Sequence, residues 1–253
     1  MWPHLRSDET EPYESDPGRE RARRQRDLAI AYRIFGAKRW GELGDGHISA
    51  RDPERTDCFW LLRYGVAFAQ ATVADLVLVQ PDGSVDGAGA INPAAYHIHW
   101  PILAARPELV SAAHVHTPYG TPFSAEARLF DMLIQEATVH LDDQALFDDE
   151  EVQILGLDGG KRIAAAMGDA RLVILRNHGL LTGGRSVAEA IGLFVTAEHV
   201  AEAHLKVRTP RPITGEAAQA AKDNLLAPGS GDLWLRFCFL ARTHVPDPAV
   251  VHA

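Results

Sequence analysis

The sequence predicts an α/β fold in which a mixed sheet is covered by helices on both faces. Three observations predict it: short β-rich runs joined by tight turns in the first half, apolar segments of helical spacing among and after them, and fully apolar runs such as Leu172-Val173-Ile174-Leu175 that need cover on both sides. At 253 residues the chain can form one large domain with a substantial core, and no central linker divides it.

Each element follows from local pattern. Residues 1–17, rich in Asp, Glu and Pro, read as an arm that either stays mobile or docks on a neighbouring subunit. Residues 18–39 read as a helix with Leu28, Ile30, Ala31, Ile34 and Phe35 on its apolar face, broken by Gly41, Gly44 and Gly46. Strands are expected at 47–50, 58–62 and 76–80, the last closed by the turn Pro81-Asp82-Gly83. Asn92-Pro93 opens a second helix that ends near Arg106, ahead of Pro107, because Pro is tolerated in a first helical turn. A strand through His114 and His116 comes next, then short helical pieces over 118–136 and an acidic stretch, 142–151, expected as a solvated loop. Residues 159–167 read as helix, 172–175 as a buried strand and 180–182 as another. Ser186-Val187-Ala188-Glu189 has capping-box spacing ahead of a long helix, which Pro210 and Pro212 stop. The domain is thus expected over 18–208. Its extension, 209–253, carries the apolar cluster Trp234, Leu235, Phe237 and Phe239, which needs a surface on the domain or on a neighbouring subunit to cover it.

Composition narrows the function. Twenty-five basic against thirty-four acidic side chains give a formal charge of -9, with the acidic groups spread through the chain rather than gathered in one tail, so a nucleic-acid partner is not expected. No run reaches the roughly 18 apolar residues of a membrane span. Cys58 and Cys238 are too few for a disulfide framework, and Met1-Trp2-Pro3-His4 lacks an apolar signal core, so a cytoplasmic setting is expected.

The chemistry is carried by histidines. In His114-Val115-His116 strand alternation points both imidazoles to one side. Roughly sixty residues on, the strand ending at Arg176 delivers His178 to the Asn177-His178-Gly179 turn. Three imidazoles can share one metal ion and leave positions open for water or substrate, as catalytic rather than structural sites do.

These motifs, together with Gly46-His47-Ile48-Ser49, Asp75-Leu76, Asp82-Gly83 and Arg176-Asn177-His178-Gly179-Leu180-Leu181, resemble the class II aldolase/adducin family over about residues 20–208. The resemblance implies a three-layer α/β/α fold with a mostly antiparallel sheet, and a ring-shaped homotetramer with active sites near subunit interfaces. It also implies one divalent transition metal ion (zinc, manganese, cobalt or iron) on His114, His116 and His178.

Departures from the family pattern redirect the expected reaction. Ala95 stands where family aldolases carry the Glu that removes a proton from carbon. Gly46-His47-Ile48-Ser49, Tyr64-Gly65 and Pro93-Ala94 replace the small donors of their phosphate pocket. A metal site without a carbon base suits decarboxylation, which leaves a carbanion directly and needs only an electron sink and a proton donor. The expected function is a metal-dependent carbon-carbon lyase decarboxylating a hydroxy or oxo carboxylic acid of aromatic type. An aldolase for an unphosphorylated substrate, a non-heme iron oxygenase of an aromatic oxo acid and an adducin-like binding module stay open. His47, His97 and Tyr64 are the candidate catalytic groups, with His99 and Tyr96 as further proton donors. Ser49, Gly65, Asn92 and Arg176 are the candidate substrate contacts.

Overall fold

The computed structural model describes residues 2, 5, 9–86, 89–227 and 233–252; the rest of the expected arm lies outside the described residues. Helix α1 (Pro17–Ala37) starts on Asp16, whose side chain accepts from the Arg19 N–H. Four antiparallel strands follow as a meander: β1 (His47–Arg51), β2 (Phe59–Leu62), β3 (Leu76–Val79) and the short β4 (Val85–Asp86). Helix α2 (Pro93–Ala105) is capped by Asn92 and leads to β5 (Ser111–Val115). Helix α3 (Gly120–Ser124), β6 (Gln144–Phe147), α4 (Leu157–Met167), β7 (Leu172–Leu175) and β8 (Gly179–Gly184) complete the layers.

One eight-stranded sheet results, ordered β4-β3-β2-β1-β5-β8-β7-β6. All pairings are antiparallel except β6 with β7. The sheet is therefore mixed and mostly antiparallel, as expected. Strand β6 corrects the expectation of a solvated loop over 142–151. Its residues Gln144-Ala145-Leu146-Phe147 lie between acidic flanks and join the edge of β7 in parallel register. The acidic flanks hid a four-residue strand whose signal comes from its partner.

Alternation along the strands builds two cores. Ile48, Ala50, Ala113 and Val115 face one side, under α1, α5 (Val187–Lys206) and α7 (Leu233–His244). Phe59, Leu61, Val173, Leu175 and Leu181 face the other, under α2 and α4. Ser186 caps α5 by accepting from the Glu189 N–H. In α2, Pro101 removes the N–H that would bond the His97 carbonyl. That carbonyl instead meets α4 at Gly160, where an added Cβ would lie 1.8 Å from the oxygen. The two helices cross at this glycine.

Beyond the domain, α6 (Gly215–Leu226) and α7 pack back on the same chain. Phe237 is buried among α1 and α5 residues, Trp234 is partly covered, and Phe239 remains 61% exposed. Near the N-terminus, Glu11 pairs with Arg23 and accepts from the Ser186 hydroxyl, while the Trp2 indole donates to the Val245 carbonyl. No helix among the described residues is long and apolar enough to cross a membrane.

Candidate metal centre

Sheet register brings the histidines together. His47 on β1 and His114 on β5 are direct register partners, so their side chains stand on the same face, the one under α2. His116 lies one pleat beyond His114, just past the strand end, and His178 enters from the turn between β7 and β8. Asn177 holds that turn at φ 58°, a left-handed conformation that Asn tolerates. Gly179 follows at φ 152°, where a Cβ would come 3.5 Å from both the His114 ring and the Thr121 hydroxyl.

One ring nitrogen from each of His114, His116 and His178 lies within 4.8 Å of the others. Bonds of about 2.0–2.1 Å would draw tetrahedral ligand nitrogens to roughly 3.4 Å apart, so small ring rotations close the set on an ion. The donors are also oriented for it. The Leu180 carbonyl can only accept, so His114 Nδ1–H donates to it at 2.8 Å and leaves Nε2 bare. Asp45 lies 3.4 Å from His116 Nδ1, a negative partner beside that ring. The residues present therefore fit a divalent transition metal.

Burial keeps His47, His114 and His178 neutral. The His114 and His47 values are pushed well below the ordinary histidine value, first by desolvation and then by neighbouring rings, and His178 is pushed down to about 4 by burial and His116. Buried rings that resist protons while offering lone pairs are suited to a metal cation.

The cavity over the triad, about 490 Å³, is lined by Asp45, His47, Asn92, Ile98, Thr121 and Gln153, among others. A second cavity of about 480 Å³ shares Gly46, His47 and Asn92 with it and runs between Tyr32, Trp40, Leu62, Tyr64 and Phe68.

Placement of the expected site residues is mixed. His47 and Asn92 line both cavities, whereas Tyr64 and Gly65 line only the second. His97 lines neither cavity; its ring packs beside Tyr96. The reason is helical geometry, since residues two apart point about 200° from each other, and it is His99 that turns toward the sheet. His99 is fully buried, with Nε2 2.8 Å from His47 Nδ1 and Nδ1 2.6 Å from Ser49 Oγ. Ser49 thus sits behind His99, fully buried, and is absent from the lining of both cavities. Arg176 is also turned away. It pairs with Asp148 at 2.6 Å and Glu150 at 2.7 Å, and so anchors the acidic segment that leads into Val152, Gln153 and Ile154 of the cavity wall.

Two supporting acids escaped sequence reasoning. Asp45 lies in the glycine-rich turn Gly44-Asp45-Gly46, which carries no periodic signal. Glu198 is buried on α5 and accepts from the Thr117 hydroxyl and the Tyr119 and Gly120 N–H groups, fixing the turn that follows His116. Its signal was an acid four residues after Phe194, on the apolar stripe of a helix.

Fold and site together define a three-layer α/β/α protein with an open three-imidazole cluster able to hold a metal ion. The chain belongs to the family described as class II aldolase and adducin N-terminal domain, whose model matches residues 26–205. One relative, decarboxylase NovR of Streptomyces niveus, is 35% identical over 197 residues, covering 76% of this chain and 73% of that protein. Another, named 4-hydroxy-3-prenylphenylpyruvate oxygenase/4-hydroxy-3-prenylbenzoate synthase, from Streptomyces roseochromogenus, is 34% identical over 203 residues, covering 78% and 73%. Among solved structures, L-fuculose 1-phosphate aldolase from Glaciozyma antarctica superposes with a TM-score of 0.80 at 29% identity, covering 92% of this chain and 93% of that one.

Proposed function

We propose that this chain is a metal-dependent carbon-carbon lyase that decarboxylates a hydroxy or oxo aromatic carboxylic acid, working as a cytoplasmic homotetramer with active sites near the subunit interfaces. The observation that carries the reading is the acid inventory of the site. Ala95 is fully buried, and Asp45, engaged with His116, is the one acidic side chain among the described residues lining the metal cavity. A site so built retains charge stabilisation without a dedicated base for carbon. Decarboxylation fits that inventory: the bond to the carboxylate breaks, its electron pair is delocalised onto the oxygen of a carbonyl or dienone tautomer conjugated with that bond, carbon dioxide leaves, and the carbon takes a proton.

A divalent ion, when bound, supplies a Lewis acid that favours negative charge on a substrate oxygen. His114, His116 and His178 would hold it. His47, beside the triad and buried, is placed to hydrogen-bond the same substrate end. Trp40, Phe68, Leu62 and Tyr32 of the second cavity provide an apolar, aromatic-walled slot for an aryl group reaching past His47. The decarboxylase name of one Streptomyces relative supports this reaction type, and the aryl oxo acid in the name of the other supports this substrate class.

The test is carbon dioxide release from a panel of hydroxy and oxo aryl acids by metal-loaded protein. Release abolished by chelator and by His114→Ala is expected; a fully metal-loaded enzyme that releases none from any of them ends the reading. The oxygenase name of one relative favours iron-dependent oxygenation as the second reading, which would show as oxygen consumption strictly dependent on ferrous iron.

A further inference from the structure

We propose that Ser49 and His99 lock His47 into the tautomer that carries its proton on Nε2, so that His47 is a hydrogen-bond donor to the metal cavity and not a fourth metal ligand. The inference rests on the metal-site reading above and adds a role for two residues behind the cavity.

The proton order along the buried row follows from counting donors. His47 Nδ1 lies 2.8 Å from His99 Nε2, and His99 Nδ1 lies 2.6 Å from Ser49 Oγ. Ser49 and His99 are fully buried and His47 nearly so. Both rings are buried, and neither has a carboxylate among its hydrogen-bond partners in the described residues, so each is neutral and carries one N–H. Two orders are then possible. In the first, the Ser49 hydroxyl donates to His99 Nδ1, His99 Nε2–H donates to His47 Nδ1, and His47 Nε2–H is left for the cavity. In the second, every proton runs the other way, and the Ser49 hydroxyl proton has no acceptor.

Ser49 Oγ has His99 as its single side-chain hydrogen-bond partner among the described residues. The second order would therefore bury an orphaned hydroxyl donor, which native structures avoid. The first order gives every proton in the row an acceptor except the one on His47 Nε2, on the ring that lines the metal cavity. A nitrogen that carries its proton cannot bind a metal ion.

His114 makes the contrast. It stands opposite His47 in the β1–β5 register, yet its Nδ1 meets the Leu180 carbonyl, which can only accept. That partner forces the proton onto Nδ1 and bares Nε2 for the ion. Two adjacent imidazoles on one sheet face are thus given opposite tautomers by the groups behind them, one a ligand and one a donor to an oxyanion held beside it.

Long-range proton–nitrogen correlation spectra of 15N-histidine-labelled, zinc-loaded protein read the tautomer without substrate. A pyrrole-type Nε2 and pyridine-type Nδ1 at His47, with the reverse at His114 before zinc is added, are expected. Ser49→Ala should convert His47 to a mixture of both forms. In parallel, His47→Gln should leave zinc stoichiometry at one and affinity within about threefold. A bare Nε2 at His47, an unchanged tautomer in Ser49→Ala, or a loss of zinc affinity beyond about tenfold in His47→Gln would each overturn the assignment. These measurements need no turnover, so failure to release carbon dioxide would sink the proposed reaction while leaving the tautomer result standing.

Discussion

His47 and His114 face each other as register partners across antiparallel β1 and β5, their ring centres 5.2 Å apart. That one pairing joins the Gly46-His47 turn of the first half to the His114-Val115-His116 strand and defines the floor of the site. A register shift of one residue would send His47 into the opposite core.

The three-ligand assignment predicts a sharp division among the histidines. His114→Ala should weaken zinc binding by more than about 100-fold, because two imidazoles remain. His97→Ala should leave it unchanged, because that ring lines neither cavity. Elemental analysis and competitive titration with a chromogenic chelator check both; equal losses in the two variants would contradict the geometry.

Asp45 should tune the metal without holding it. Asp45→Asn removes the negative partner 3.4 Å from His116 Nδ1 and should lower zinc affinity about tenfold while stoichiometry stays at one. Complete loss of metal would make Asp45 a ligand instead.

Acid sensitivity should trace in part to His140. It is fully buried, neither ring nitrogen has a hydrogen-bond partner among the described residues, and desolvation, with Arg171, Arg236 and Lys222 nearby, pushes its value down to about 3. Unfolded histidine takes up its proton near 6.5. The unfolded state therefore binds more protons between about 6.5 and 3, and native stability is lost as pH falls through that window. His140→Phe removes this contribution, so the variant's stability relative to wild type should be about 2 kcal/mol better at pH 5 than at pH 7.5. Urea unfolding at the two pH values measures the difference; no change between them would refute it.

Gly46 and Gly44 separate close approach from backbone strain. Both have positive φ, 112° and 76°. A Cβ at Gly46 would meet the Val115 side chain at 2.6 Å and the His114 carbonyl at 2.8 Å, whereas at Gly44 nothing lies within 4 Å. Gly46→Ala should cost at least about 2 kcal/mol and Gly44→Ala roughly 1 kcal/mol. Calorimetric melting of the two variants checks the ranking.

The sequence alone determined what depends on neighbours along the chain. Strand alternation put His114 and His116 on one side, Asn177 and Gly179 marked the turn that presents His178, and Ser186 with Glu189 marked the start of α5. Period and capping are local, so they read directly. Tertiary structure decided which faces meet. It chose His99 over His97, because periodicity separates the two faces of α2 without saying which one packs on β1. It gave Arg176 to Asp148 and Glu150, and it drew β6 out of an acidic stretch by pairing it with β7. Above all it set the partners behind each ring, the Leu180 carbonyl for His114 and Ser49 through His99 for His47. Those contacts join residues roughly fifty or more positions apart, and such pairings depend on sheet register and helix docking, which no local pattern encodes.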